Sequence, residues 1–183
     1  MSEARTHYGR LVLAGIVVGA VVFGLGSRLA MRIVGIIASP EQLGQPTAFC
    51  TVGTVTFKGT AGLVIMGSVA GFVSGCIYLL VRPLLPGAWP VRGLALGLLL
   101  LSPVGVVIVA SSKSDFDLAS QVVIFALFAG MILLEGLATA GVIERLGGRF
   151  LPPPRPRPLG YAVLGSIASL GFLWLGAYVS DVA

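Results

Sequence analysis

Five long apolar runs constrain the fold of this chain more than any other feature of its sequence. They cover residues 11–37, 60–81, 91–110, 118–143 and 159–179. Each has at least about 20 residues, and a helix of that length, rising about 1.5 Å per residue, crosses a hydrocarbon layer of about 30 Å. Because a backbone in lipid must satisfy its own hydrogen bonds, such runs form helices. The sequence therefore predicts an all-α fold, a single transmembrane bundle of five helices in contact with the lipid bilayer.

The composition excludes an ordinary soluble domain and gives no sign of a bound cofactor. Of the 183 residues, 56% are hydrophobic and only 10% are charged, whereas soluble domains carry about 25% charged residues. The net charge of +5 is explained by membrane topology, so we predict no nucleic-acid partner. His7 is the only histidine, and Cys50 and Cys76 lie in unlike surroundings, which predicts neither a metal site nor a disulfide. Cofactors stay unassigned.

The basic residues predict the orientation of the bundle, because positive charge is retained on the cytoplasmic side. With the N-terminus inside, eight arginines are cytoplasmic: Arg5, Arg10, Arg82, Arg92, Arg145, Arg149, Arg155 and Arg157. Four basic residues then lie outside: Arg28, Arg32, Lys58 and Lys113. This bias predicts an N-in, C-out protein with an external loop at 38–59 and a cytoplasmic proline- and arginine-rich linker at 144–158. The first run is interpreted as an uncleaved signal anchor.

Glycine spacing in three of the runs predicts close packing of helices. The glycines concerned are Gly67, Gly71 and Gly75 in the second run, Gly15 and Gly19 in the first, and Gly93 and Gly97 in the third. Glycines four residues apart share one helix face and let another backbone approach closely. Two interpretations are open at this point: compact bundling within the chain, or an interface with another membrane subunit or a second copy.

The acidic residue Glu135, inside the fourth run, is the strongest candidate for a functional site. An ionisable side chain within a membrane helix is costly and is by default a functional hypothesis. Its helix face also carries Thr139 and Gln121, and its hydrogen-bond partners are expected among serines such as Ser102 or Ser74. Three interpretations are open: a neutral and satisfied structural acid, a proton or cation pathway, and contact with a partner chain.

Arg28 and Arg32 lie one helical turn apart at the outer end of the first run. Long basic side chains near a helix end can reach the lipid headgroups while their stems stay in apolar surroundings. The alternative is a pair of arginines that faces the bundle or the long loop, as a structural pair or an anion-binding site.

Pro103 follows Ser102 near the middle of the third run. Proline in a helix interior removes a backbone hydrogen bond and bends the helix. The sequence therefore predicts a kink at this position, which is either structural or the hinge of a gate.

Four short fragments near the predicted helix ends carry a family resemblance. They are Arg-Leu-Ala-Met-Arg at 28–32, Thr-Phe-Lys-Gly-Thr at 56–60, Asp-Phe at 115–116 and Glu-Arg-Leu at 144–146. In these fragments the first 146 residues resemble a group of small, uncharacterised polytopic bacterial membrane proteins. The resemblance implies a multi-pass protein of the bacterial inner membrane and implies no activity.

The sequence contains no arrangement typical of catalysis, such as a nucleophile with its base, a metal constellation or a phosphate loop. We therefore predict that the protein is not an enzyme. Two functions fit the remaining features. The first is a structural or accessory subunit that packs against other membrane proteins, and the second is a small oligomeric transporter or channel with Glu135 as its proton or cation site and Pro103 as its hinge.

Overall fold

The computed structural model describes residues 2–37, 57–85, 87–112 and 118–147, together with Ala162, Gly165, Ser166 and Ser169. Every regular element in these residues is a helix, which confirms the predicted all-α class for this part of the chain. Cys50, most of the predicted loop and the linker beyond Gly147 lie outside the described residues. So does the predicted fifth helix, apart from the four residues named individually.

The first predicted run forms one continuous helix that contains a wider turn. α1 (Ser2–Gly19) leads into a π-helical segment (Ala20–Leu25), and α2 (Gly26–Ile37) follows it. The two flanking glycines, Gly19 and Gly26, keep right-handed helical φ and ψ, so the helix is not interrupted there. The remaining helices are α3 (Phe57–Val81), α4 (Trp89–Ser112) and α5 (Leu118–Gly147).

Five helix ends differ from the predicted boundaries, two of them because α1 begins at Ser2 rather than at 11 and α4 ends at Ser112 rather than at 110. α3 begins at Phe57, so the last three residues of the predicted loop 38–59 are helical. α4 begins at Trp89 because Pro90 lies in its first turn, where a missing N–H leaves no helical bond unmade. α5 continues to Gly147, which places Glu144 in a helix rather than in the linker 144–158.

Three of the helices are long and apolar enough to cross a membrane. The spans are His7–Ala30, Gly59–Val81 and Ala126–Gly147, and Trp89–Leu101 is a shorter apolar helix. Large apolar side chains lie on the outside of these helices, as Leu29, Phe72 and Leu80 do. An apolar exterior of this extent is what a lipid-facing surface requires and what a soluble protein avoids. These features are those of a membrane protein.

The helices pack as two close pairs that meet at α5. α1 and the π-helical segment lie against α3, and α4 lies against α5. α5 also contacts α1, α2 and α3, whereas α3 and α4 barely touch. α5 is therefore the element that joins the two pairs, and its buried face is where side chains from several helices come together.

Glycines bring the backbones of the first pair into direct contact. Gly15 and Gly19 lie on the helix that faces Gly67, Gly71 and Gly75 of α3. A Cβ atom added at Gly15 would lie 2.7 Å from the Gly71 carbonyl oxygen, and one added at Gly67 would lie 2.6 Å from the Gly19 carbonyl oxygen. No side chain larger than hydrogen fits at these distances, so the glycine spacing serves packing within the chain.

The second pair is built in the same way. A Cβ atom at Gly93 would lie 2.8 Å from the Cα atom of Leu137, and one at Gly97 would lie 2.9 Å from the Cα atom of Leu133. Gly136, on α5, meets the backbone of both α4 glycines. All seven glycines named from the sequence thus lie at contacts between helices of this one chain. Gly136 is an eighth that the four-residue spacing does not reveal.

Candidate functional site

Glu135 lies on the face of α5 that is buried against the other helices. It is three helical turns, or about 18 Å, before the end of α5 at Gly147 and is 0% exposed. Ser74 of α3 and Thr139 of α5, which are almost equally buried, lie beside it. A carboxyl group is thereby held between α3 and α5, at a depth that water from the bundle end does not reach in this structure.

The two carboxyl oxygens of Glu135 have unlike surroundings. The hydroxyls of Ser74 and Thr139 both donate to Oε1, each across 3.0 Å. Oε2 is buried and has no hydrogen-bond partner among the described residues. The Ser74 hydroxyl also lies 3.1 Å from the carbonyl oxygen of Gly71, one turn earlier in α3. Glu135, Ser74, Thr139 and the Gly71 carbonyl together are called the Glu135 site below.

An unpartnered buried oxygen has an energetic cost that a purely structural role does not explain. Leaving a buried acceptor without a donor costs about 1–3 kcal/mol, and more when the group is charged. The two hydrogen bonds that Glu135 accepts come from neutral hydroxyls, whereas the salt bridges of Arg82 and Arg92 go to Glu144. Replacing the acid with a packed apolar side chain would remove this cost. The site is therefore a functional candidate on physical grounds.

The structure distinguishes among the residues that the sequence placed near Glu135. It brings Ser74 and Thr139 to the carboxyl group. The side chains of Ser102, Pro103 and Gln121 lie outside the described part of the chain, although the backbone of α4 is helical through 102 and 103. These three stay predictions.

The arginine pair of the first run lies on α2. Arg28 is half-buried and Arg32 is exposed. The exposed Arg32 can extend toward the headgroups, as is expected of a long basic side chain.

A second polar group, which the sequence did not reveal, lies at the end of the bundle where α3 and α5 end and α4 begins. Its members are Tyr78, Arg82, Arg92 and Glu144, called the Glu144 cluster below. Glu144 Oε1 accepts from Arg82 Nε at 2.7 Å, from Arg92 Nη1 at 2.9 Å and from Tyr78 Oη at 2.8 Å. Arg82 Nη2 donates to Oε2 at 3.1 Å, which makes that pair bidentate.

The Glu144 cluster ties three helices and one connector together. Arg82 and Arg92 are only 5% and 8% exposed, which is rare for arginine unless it is paired. Arg92 Nη2 also donates to the carbonyl oxygen of Gly87 in the α3–α4 connector. Gly87 has a φ of 83°, a conformation that glycine adopts without strain. The cluster therefore fixes the connector as well as the ends of the helices.

One sequence signal could have revealed the Glu144 cluster. Arg82 and Arg92 flank a short connector, and Glu144 lies at the end of a run that returns to the same side of the membrane. Counted only as topological charges, the two arginines appear independent. Considered together with Glu144, the nearest acid at the same end of the bundle, the two arginines are candidates for ion pairs.

The Glu135 site and the Glu144 cluster contain no arrangement suited to a bound metal. Among the described residues, no three side chains of histidine, cysteine, aspartate or glutamate come together as ligands would. Comparisons of the chain with protein-family models, curated proteins and solved structures give no match. A functional proposal therefore depends on the chemistry of these two groups and on the surface of the bundle.

Proposed function

We propose that this chain is a multi-pass protein of a bacterial inner membrane that serves as a structural or accessory subunit of a larger membrane assembly. The observation that supports this most is the way the bundle is fastened. Backbone contact through glycines joins both helix pairs, and the Glu144 cluster ties α3, α4 and α5 at one end. A bundle held together at these points suits a rigid structural subunit better than a transporter that must change conformation.

The outer face of the first helix is the surface that we assign to a partner. Large apolar side chains recur on it every four residues: Leu13, Val17, Val21, Leu25 and Leu29, each at least 51% exposed. Side chains at this spacing form a continuous ridge, which packs into the groove of another helix. In the membrane this ridge contacts lipid in the free chain and a partner helix in the assembly.

Native gels of the protein extracted in mild detergent test this role. The variant Val17→Trp enlarges the ridge, and Val69→Trp is its matched control, because both valines are 55% exposed and lie on different helices. We expect Val17→Trp to remove the chain from its larger assembly while Val69→Trp keeps the wild-type pattern. Identical assemblies for wild type and both variants would reject the proposal.

A second candidate function is supported by the unpartnered Oε2 of Glu135. In this alternative the chain is a small oligomeric transporter or channel, and Glu135 is its proton or cation site. It predicts pH-dependent flux into proteoliposomes that contain the purified chain, and loss of that flux in Glu135→Gln. Flux that is absent from the wild type, or equal in the variant, would exclude this function.

A further inference from the structure

The hydroxyl of Ser74 lies between two acceptors and can serve only one of them at a time. Its Oγ atom is 3.0 Å from Glu135 Oε1 and 3.1 Å from the carbonyl oxygen of Gly71. A serine hydroxyl has a single hydrogen to donate but can also accept. The position of that hydrogen is therefore free to depend on the state of the neighbouring carboxyl group.

Two different placements of the hydrogens are compatible with the same heavy-atom positions. When the Glu135 carboxyl is ionised, Ser74 and Thr139 both donate to Oε1. When it carries a proton on Oε1, that proton is donated to Ser74 Oγ, and the Ser74 hydrogen turns to the Gly71 carbonyl oxygen. Only hydrogens move between the two arrangements, and neither one leaves the Ser74 hydroxyl without an acceptor.

We infer that Glu135 binds and releases a proton within the bundle and that Ser74 is the positioning residue that accommodates both states. The step adds one proton to the carboxylate and changes its charge from −1 to zero, with no other bond made or broken. This inference extends the second candidate function. It rests on that function, because transport is what gives the proton exchange a purpose. It names the proton, rather than a metal ion, as the ligand.

The spacing of the oxygens favours the proton over a metal ion. The Ser74 and Thr139 hydroxyls already lie at hydrogen-bond distance from Oε1, so an ion placed among the three oxygens would have to push them apart. Ser74, Glu135 and Thr139 are all fully buried, and the packed surroundings resist such an expansion. A single carboxylate is also a small share of the ligands that hard cations usually require.

Several titratable or charged groups lie on the elements packed against α5. On the elements packed against α5 the titratable or charged residues are Glu3, Arg5, His7, Tyr8, Arg10, Arg28, Arg32, Lys58, Cys76, Tyr78, Arg82 and Arg92, and α5 itself adds Glu144 and Arg145. Arg82 and Arg92 form salt bridges with Glu144, about two and a half turns farther along α5. The hydrogen bonds to Glu135 come from neutral hydroxyls.

Infrared spectroscopy of the full chain in detergent tests the inference, because a protonated carboxyl group has a C=O stretching band that an ionised one lacks. We expect a band that appears as the sample is acidified, disappears as it is made alkaline and is lost completely in Glu135→Gln. Ser74→Ala should shift the frequency of the band. The matched control is Ser68→Ala on the same helix, whose hydroxyl donates to its own helix at Val64, and it should leave the band unchanged.

Three results would overturn the inference: a Glu135 band that persists at every pH, no such band at any pH, or a band that Ser74→Ala leaves in place. If Glu135→Gln does not fold, Ser74→Ala still assigns the band, because only a carboxyl bonded to Ser74 changes frequency. The proteoliposome experiment is separate. A titrating band without flux rejects transport and keeps the proton site, and flux with a band that does not titrate rejects the proton site alone.

Discussion

At the scale of single residues, Glu144 joins two buried arginines and a tyrosine. Its Oε1 atom accepts from two guanidinium groups and one phenol, all within 2.9 Å. Arg82 and Arg92 are both buried, so neither can turn to water if this carboxylate is removed. Hydrogen bonds that involve charged groups contribute about 1.5–3 kcal/mol each, more than neutral ones. Loss of Glu144 therefore removes the carboxylate that offsets the charge of two buried guanidinium groups.

Replacing Glu144 should lower the stability of the bundle strongly. Removing one partner of a buried ion pair costs about 3–5 kcal/mol, and Glu144→Gln keeps the shape of the side chain while it removes the charge. We expect a loss near the lower end, because the Glu144 side chain is 15% exposed. Thermal unfolding in detergent measures it. The control is Arg145→Gln at the exposed neighbouring position, and equal stability of the two variants would contradict the role of the cluster.

At the scale of elements, the glycine contacts decide how α1 and α3 pack. Gly71 meets the backbone of both Gly15 and Gly19, whereas Gly62 on the same helix has nothing within 4 Å of its Cβ position. The same helix thus carries one glycine at a contact and one at an open surface. Replacing each glycine with alanine adds a single methyl group, and this small change tests whether the two positions differ in packing.

Gly71→Ala and Gly62→Ala should change stability in opposite directions. At Gly71 the methyl group collides with backbone, and overpacking of this kind costs about 1–3 kcal/mol. At Gly62 it meets open space, and alanine is favoured over glycine in a helix by about 1 kcal/mol. Reversible unfolding of α3 variants in mixed micelles measures both. A stabilising or neutral Gly71→Ala would show that the backbones are not in contact.

At the scale of the whole molecule, the order of packing makes α5 the centre of the bundle. It contacts every other described helix and carries both Glu135, which is fully buried, and Glu144, which is partly buried. The two carboxyl groups have different partners: Glu135 is bonded by neutral hydroxyls and Glu144 by arginines. α5 thus carries an ion-paired carboxylate, Glu144, near its end, and Glu135, which is bonded by neutral hydroxyls, farther inside. The count of five spans and the N-in, C-out orientation stay predictions from hydropathy and charge.

The helical membrane class followed from the sequence by itself, because it depends on properties that are local along the chain. The lengths of the apolar runs set the helices, and the spacing of Gly67, Gly71 and Gly75 marked a face that packs closely. The acid at Glu135 was conspicuous because an ionisable group inside an apolar run is costly wherever that helix lies. None of these features requires knowing which helices are neighbours.

Only the tertiary structure decided which residues meet. Ser74 and Glu135 are 61 positions apart in the chain, and Arg82 and Glu144 are 62 apart. Whether such pairs touch depends on the rotation of each helix about its own axis and on which helices are adjacent. Hydropathy does not specify either, because a membrane helix that is apolar on all sides has no preferred face. The glycine contacts and the ion pairs between helices fix which helices are adjacent and which faces meet. That arrangement also leaves Glu135 Oε2 without a hydrogen-bond partner among the described residues.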